Sequence, residues 1–327
     1  MEVRVITAGR AEVVAPEDLA TVLQAPDALV WVDMPTCDEA AVDVLRDVFR
    51  FHPAAIWECR QRQRMPKGHA YSDHLFVALH APHVGEHGHV HYVELDQFVG
   101  LRYLVTVHGP TNPAVPAHVP LRDTTVVWDR IVEGRFHPTS PMDISHAVVA
   151  SLMEGMEEVL ELVTTDVWRL EQRVTLERMR DPETFLDEMF RTRHGLLAVS
   201  NMCSSSWEVY DRLLTVARGL PEPYRQLVSD TVDHFRRVRR LADNQRDYLQ
   251  GVIEFYRTRT DTKMTIAAER LAVIAVVTLP ITALASILGM NVIVNQGTHT
   301  GQLAAALVVM LAMSTVLLRW ARKQGWW

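Results

Sequence analysis

Stepping back from Gly289 by threes and fours meets Ser286, Thr282, Leu279, Ala275, Ala272, Ala268, Thr265, Asp261, Thr258, Glu254, Gly251, Asp247 and Asn244. On a continuous helix such a series forms one stripe. Its first part is small or hydroxylated apart from Leu279, and its second part has a carboxylate at every seventh position, Asp261, Glu254 and Asp247. Small and hydroxylated side chains around an axis would leave a narrow conduit, and acids below it would concentrate cations. A plainer reading fits the same residues: small side chains let membrane helices pack closely, and the acids are solvated positions. A straight helix drifts by about 20° per heptad from a strict 3.5 repeat, so the lower stripe holds only if the bundle supercoils.

Two other groups could bind metal. His83, His87, His89 and His91 surround a Gly-containing turn, and strand alternation would set His87, His89 and His91 on one face. Imidazole suits Zn²⁺, but no nearby Cys completes a tetrahedral set, so the competing expectation is an exposed hairpin without metal. Glu154, Glu157, Glu158 and Glu161 have helical spacing and read as a solvated face, or as one paired with Arg236, Arg237, Arg239 and Arg240.

The stripe needs a long helix, and much of that helix needs a membrane. Residues 271–291, LAVIAVVTLPITALASILGMN, carry no charge, and about 20 residues at about 1.5 Å each span a hydrocarbon core of roughly 30 Å. A second apolar segment covers 303–320, and the uncharged connector 292–302 permits only a tight hairpin of two membrane helices. Lys263 and Arg270 precede the first span, and Arg319, Arg322 and Lys323 close the second, in a basic tail 321–327. The connector has neither Lys nor Arg, so both termini are expected in the cytoplasm and the connector outside. Upstream, no Pro occurs between Pro223 and Pro280, which predicts one helix over 224–290, roughly 100 Å long at about 1.5 Å per residue.

Residues 1–138 read as a cytoplasmic α/β domain. Glu2–Thr7, 28–33, 74–80 and Tyr103–His108 are rich in Val and aromatics and predict strands, while 16–24 and 38–49 predict helices. Residues 139–270 form a region of long helices and stalk. Ser140-Pro141 is an N-cap followed by Pro at the first helical position, predicting a helix to about Arg180; Asp181-Pro182-Glu183 opens another, to about Arg218. The fold class is α+β, with two C-terminal membrane helices. A net charge of −7 argues against a nucleic-acid partner. Cys37, Cys59 and Cys203 are far apart and without a CxxC pair, which fits a reducing cytoplasm and indicates no disulfide framework. No signal peptide, phosphate-cradling Gly loop or nucleophile elbow is read, so the chain is not expected to be an enzyme or to hold a prosthetic group.

Gly289-Met290-Asn291, closing the first of two C-terminal spans behind a large soluble domain, resembles the CorA family of divalent-cation channels. The resemblance continues through Pro280, 30–33 (VWVD), His52-Pro53, 71–82 (YSDHLFVALHAP) and the basic, Trp-containing tail, so it covers nearly the whole chain. It implies a funnel-shaped homopentamer in the cell (inner) membrane, whose substrates and regulators are divalent cations: Mg²⁺ first, with Co²⁺ or Ni²⁺ as surrogates. The implied mouth site is Gly289, Met290 and Asn291. Mg²⁺ surrenders water reluctantly, so five Asn291 amides or carbonyls freed at the helix end would hold the hydrated ion, with Met290 packing and Gly289 permitting a turn. Leu279 and Leu271 lie where the family has hydrophobic constrictions, and Asp230 matches the stalk side of its regulatory Mg²⁺ site between protomers. The family's acidic external loop is replaced by a connector without carboxylates, and no acid in the loop 108–120 matches the partner of Asp230. The alternatives are a ZntB-type zinc transporter of the same superfamily, with proton coupling, and a non-conducting membrane cation sensor. A metalloenzyme on the His cluster is third.

Overall fold

The computed structural model describes residues 1–7, 10–63, 65–176, 182–216, 221–289 and 300–323. They form two compact units, Met1–Gln250 and Gly251–Trp327. The change of composition at residue 139 marks where strands give way to long helices inside the first unit, and the boundary between units falls within the last of those helices.

The first unit is built on a seven-stranded sheet. Its strands are β1 (Glu2–Thr7), β2 (Arg10–Val14), β3 (Leu29–Met34), β4 (Lys67–Ala70), β5 (Leu75–Val84), β6 (Val90–Val99) and β7 (Tyr103–His108), in the order β2-β1-β3-β7-β6-β5-β4. Only the β3·β7 pairing is parallel, with Val32 opposite Val105. Alternation along the strands sends Val3, Val5, Val30, Val32, Phe76, Phe98, Val105 and Val107 to one face. There they pack with Leu45, Phe51 and Ile56 from the short helices α1 (Leu19–Val22), α2 (Glu39–Asp43) and α3 (Pro53–Arg60) and the turns between them. The expected helix 16–24 is a three-residue 3₁₀ turn, Pro16–Asp18, followed by α1; that over 38–49 is α2 widening into a π turn at Val44–Val48.

The opposite face is covered by α4 (Arg122–Val132), α5 (Pro141–Thr175) and α6 (Pro182–Val216), with α4 against β2 and α5 and the two long helices against the middle and far strands. Ser140 caps α5 as expected: its Oγ accepts from the Asp143 amide at 3.2 Å, and Asp143 Oδ2 accepts from the Ser140 amide at 2.9 Å. α5 closes at Thr175 with Leu176 as its C-cap, and α6 is described to Val216; the predicted ends at 180 and 218 lie outside the described residues. α7 (Glu222–Gly289) is the expected long helix. It opens before Tyr224 because Pro223 falls in its first turn, where the missing N–H costs nothing. Its first part joins α5 and α6 through His234 Nε2 to Glu157 (2.9 Å), Ser200 Oγ to Asp243 (2.8 Å) and Arg236 and Arg239 over the Trp207 ring.

The second unit contains the rest of α7 and α8 (Thr300–Lys323). Both are long and apolar enough to cross a membrane, and their apolar stretches are almost entirely uncovered by the protein itself.

Candidate functional site

α7 is continuous from Glu222 to Gly289 with Pro280 inside it, so Ser286, Thr282, Leu279, Ala275 and Ala272 share one side of it, while the positions further back drift away by about 20° per heptad on a straight helix. Every member from Asn244 to Gly289 is exposed in the single chain. The contrast within the second unit carries the information. Glu269, Val273, Val276, Val277, Pro280 and Leu284 are covered at least in part and recur at spacings of three, four and one, which makes a second face. At about 100° per residue that face lies roughly opposite Ala272, Ala275, Leu279, Thr282 and Ser286. α8 has its own covered stripe, Ala306, Met310, Met313, Ser314, Leu317 and Ala321, as two helices packed side by side would. The small, hydroxylated face of α7 is therefore the one its own chain leaves open.

The hydroxyls on that face are arranged to accept. Thr282 Oγ1 donates to the Thr278 carbonyl at 2.9 Å, Thr265 Oγ1 to the Asp261 carbonyl at 3.0 Å and Thr258 Oγ1 to the Glu254 carbonyl at 3.0 Å. With each proton committed to its own helix, the remaining lone pairs are what a passing cation or its water would meet. Leu279 and Leu271, each 67% exposed, are the large apolar side chains beside these positions. Ala268 narrows the face much less than a long side chain would.

Of the three acids on the stripe, Asp247 takes a hydrogen bond from Arg246 at 3.2 Å, so its charge is partly compensated within the chain. Glu254 is exposed but also engaged, and Asp261 is exposed on the same face. At the other end, Gly289 is the last described residue of α7. Its backbone is not left-handed and a Cβ there would meet nothing within 4 Å, so neither a turn nor crowding inside one chain requires glycine. Met290, Asn291 and the tail 324–327 lie outside the described residues.

Asp230 is exposed on α7 and acts electrostatically on His146 of α5, whose Nδ1 lies 3.1 Å from Thr231 Oγ1. Burial holds His146 below the ordinary histidine range. The loop after β7 does lack an acid of its own, but an acid stands beside it that the sequence did not single out. Glu94 of β6 lines a cavity of about 340 Å³ with Arg62, Tyr92, Gly109, Thr111 and Asn112. One Glu94 oxygen accepts from the Gln63 amide at 2.8 Å and the other has no partner; burial pushes the carboxyl up to about 7. An acid two residues from Asp96 in an alternating run reads as the wet face of a strand, which hid it.

Of the remaining groups, the histidines come out differently from expectation, while Glu154, Glu158 and Glu161 are exposed, as on a solvated face. His91 alone of the four histidines belongs to β6, paired with His83 of β5; His89 precedes the strand and the His87 backbone is in a 3₁₀ turn, Glu86–Gly88, so alternation does not align them. The His83 and His91 rings are 6.4 Å apart and His89 stacks on His194, while the His87 side chain lies outside the description. Among the described residues no group of three or more His, Cys, Asp or Glu is placed to hold a metal ion. In the acidic patch, Glu158 pairs with Arg122 at 2.9 Å and Glu157 with His234, not with the stalk arginines, two of which cover Trp207.

A family model described as CorA-like Mg²⁺ transporter protein matches residues 26–323. The relative named "Putative metal ion transporter YfjQ", from Bacillus subtilis (strain 168), is 25% identical over 311 residues, which are 93% of this chain and 92% of that protein. The complete structure of the CorA magnesium transporter from Methanocaldococcus jannaschii superposes with a TM-score of 0.81 over 100% of this chain and 99% of its own, at 12% identity. The full-length CmaX protein gives 0.76 over 98% of this chain and 97% of its own, at 14% identity. The ZntB cytoplasmic domain from Vibrio parahaemolyticus RIMD 2210633 gives 0.61 over 80% of this chain and 98% of its own, at 10% identity. At such identities the structural likenesses speak for the fold alone.

Proposed function

This chain belongs to the CorA-like Mg²⁺ transporter family, and on that premise we propose that five copies surround a pore that admits divalent cations, Mg²⁺ first and Co²⁺ or Ni²⁺ as surrogates. The observation that carries this is the small, hydroxylated face of α7, left open roughly opposite the helix's partly covered face. One hairpin of two helices encloses no water path, so that face needs copies of itself. The mouth is Gly289, Met290 and Asn291, where Asn291 amides hold a hydrated ion through its water. The ion then passes Ser286 and Thr282, whose oxygens accept from its water shell. Leu279 closes the path when its ring dewets, with Leu271 as a second constriction. Below the membrane, Asp261, Glu254 and Asp247 hold a cation-rich funnel. Both termini lie in the cytoplasm, and Asp230 contributes to a regulatory ion site against a neighbouring copy.

The zinc-transporting reading is the second one, favoured by a connector without carboxylates and by 15 histidines in the chain. Ion uptake into proteoliposomes, comparing Mg²⁺ with Zn²⁺ with and without an imposed pH gradient, separates the two. Mg²⁺ flux indifferent to the gradient supports the channel, Zn²⁺ flux that follows the gradient replaces it with the zinc transporter, and absence of flux leaves a sensor. Asn291→Ala should abolish Mg²⁺ uptake with assembly unchanged; undiminished uptake would remove the mouth assignment.

A further inference from the structure

The hairpin of β5 and β6 gathers imidazoles that serve no hydrogen bond. His83 and His91 stand directly opposite each other on the two strands, with ring centroids 6.4 Å apart. The His89 ring lies 6.2 Å from that of His91 and stacks at 5.7 Å on His194 of α6, a residue outside the sequence cluster. His52, His74, His80, His108, His146 and His234 each take part in a hydrogen bond. The four at the hairpin have no hydrogen-bond or ion-pair partner among the described residues. The turn itself is shaped around one of these rings. Gly85 donates its amide to the His89 carbonyl at 2.7 Å, and Gly88, at φ +75°, supplies the left-handed residue before His89. A Cβ on Gly85 would lie 2.4 Å from His91 Nε2, so glycine there leaves that nitrogen its room. With metal–nitrogen bonds of about 2.0–2.1 Å, two imidazoles on one tetrahedral ion have ring centroids roughly 5 Å apart. The observed separations are wider by only roughly 1 Å. As the rings stand, no three described donors converge, so the site closes on binding. His89 is exposed and His83 and His91 are half-buried, and side chains so placed turn readily.

We propose that His83, His89 and His91 bind a borderline divalent cation, Zn²⁺ foremost and Ni²⁺ or Co²⁺ with it, with His194 stacked behind His89. Imidazole nitrogen suits these ions, whereas Mg²⁺ demands oxygen ligands in octahedral geometry and is refused. The bound ion clasps the two strands of the hairpin and, through the stack of His89 on His194, holds the turn against α6. The site lies wholly within Met1–Gln250 and does not depend on which ion the pore carries.

The test uses the full-length protein in detergent, without an affinity tag, stripped of metal by a chelator that is then dialysed away. Calorimetric titration with Zn²⁺ should show a site of one ion per chain that a large excess of Mg²⁺ does not displace. His91→Gln should weaken it by about tenfold or more, since even an outer-shell partner is worth that. Gly85→Ala should weaken the same site with every ligand retained, because the added methyl displaces the His91 ring. His137→Gln, at an exposed histidine elsewhere in the same unit, should leave the isotherm unchanged. Zn²⁺ held in the pore would persist in His91→Gln, so the difference between the two isotherms isolates the hairpin. In the unaltered protein, Zn²⁺ should protect His83, His89 and His91 from diethylpyrocarbonate, read by mass spectrometry, and this decides if a variant does not fold. Equal Zn²⁺ affinity in folded His91→Gln, hairpin histidines that stay reactive under saturating Zn²⁺, or displacement by an equal concentration of Mg²⁺ would each overturn the assignment.

Discussion

Arg4 is buried, with its guanidinium 4.5 Å from the Trp31 ring centroid and 5.3 Å from that of Trp128. Asp33 compensates it at 3.1 Å and is held in turn by Thr106 Oγ1 at 2.6 Å and His108 Nε2 at 3.0 Å, which ties β1, β3 and β7 together. Burial pushes Asp33 up, but His108, Arg4 and Thr106 outweigh it and hold the carboxyl below its ordinary value. Its contribution is therefore present above the ordinary carboxylate range and is lost as pH falls through the depressed value. Asp33→Asn should cost about 3 kcal/mol, the lower end for a broken buried pair because Glu2 still meets Arg4 at 2.9 Å. The thermal midpoint in detergent measures it, and a shift indistinguishable from that of an exposed Asp→Asn control would refute the account. Glu94 carries the opposite sign: the unfolded chain releases this proton near the ordinary 4.5, whereas the fold keeps it to about 7. Stability tied to Glu94 should fall as pH rises between those values and stay flat above them. Glu94→Gln should remove that slope from the melting temperature, and an unchanged slope would place its origin elsewhere. Neither network was legible residue by residue. VWVD reads as a strand, but nothing in it announces that Arg4, Thr106 and His108 converge on its last residue.

Among the elements, legibility followed burial. β1, β3, β5 and β7 declared themselves through Val and aromatic content, because both of their faces are covered. β2 (RAEVV) and β4 (KGHA) are the edge strands, and their polar residues, which suit an edge, hide them from a hydrophobic pattern. β6 was missed for another reason: its core positions include Glu94, Asp96 and Gln97, so the alternation that marks a strand is filled with polar residues that the fold buries. Helix starts were easier, since capping is local chemistry. At α5 the Asp143 carboxylate collects the amides of both Thr139 (2.8 Å) and Ser140 (2.9 Å), while Ser140 Oγ returns a bond to Asp143. Ser140→Ala should lower stability by about 1 kcal/mol and Ser140→Gly by only a few tenths, because glycine tolerates the extended cap backbone. Equal losses from the two variants, measured by chemical unfolding, would mean that the hydroxyl contributes little.

At the scale of the whole molecule, the two membrane helices carry far more uncovered apolar surface than one chain can justify, and the uncovered faces are of two kinds. One bears Leu307, Val308 and Leu311 of α8, side chains suited to lipid; the other is the face of α7 with Ser286, Thr282, Ala275 and Ala272. Lipid gains nothing from hydroxyls and small residues, whereas close helix–helix approach does. The small face should therefore meet its copies in neighbouring chains, while the face bearing Val277 stays against the partner helix of its own chain. That difference is measurable with single cysteines in a background where Cys37, Cys59 and Cys203 are serine. Ser286→Cys should cross-link chain to chain under mild oxidation in the membrane, and Val277→Cys should not, although both lie in the apolar stretch of one helix. The detergent-solubilised assembly should weigh about 186 kDa as five chains of 37.1 kDa, after correction for bound detergent. Cross-linking at 277 in place of 286 would turn α7 around its axis and move Thr282 and Leu279 off the ion path. A smaller assembly that still transports would keep the path but change the number of oxygens facing each ion.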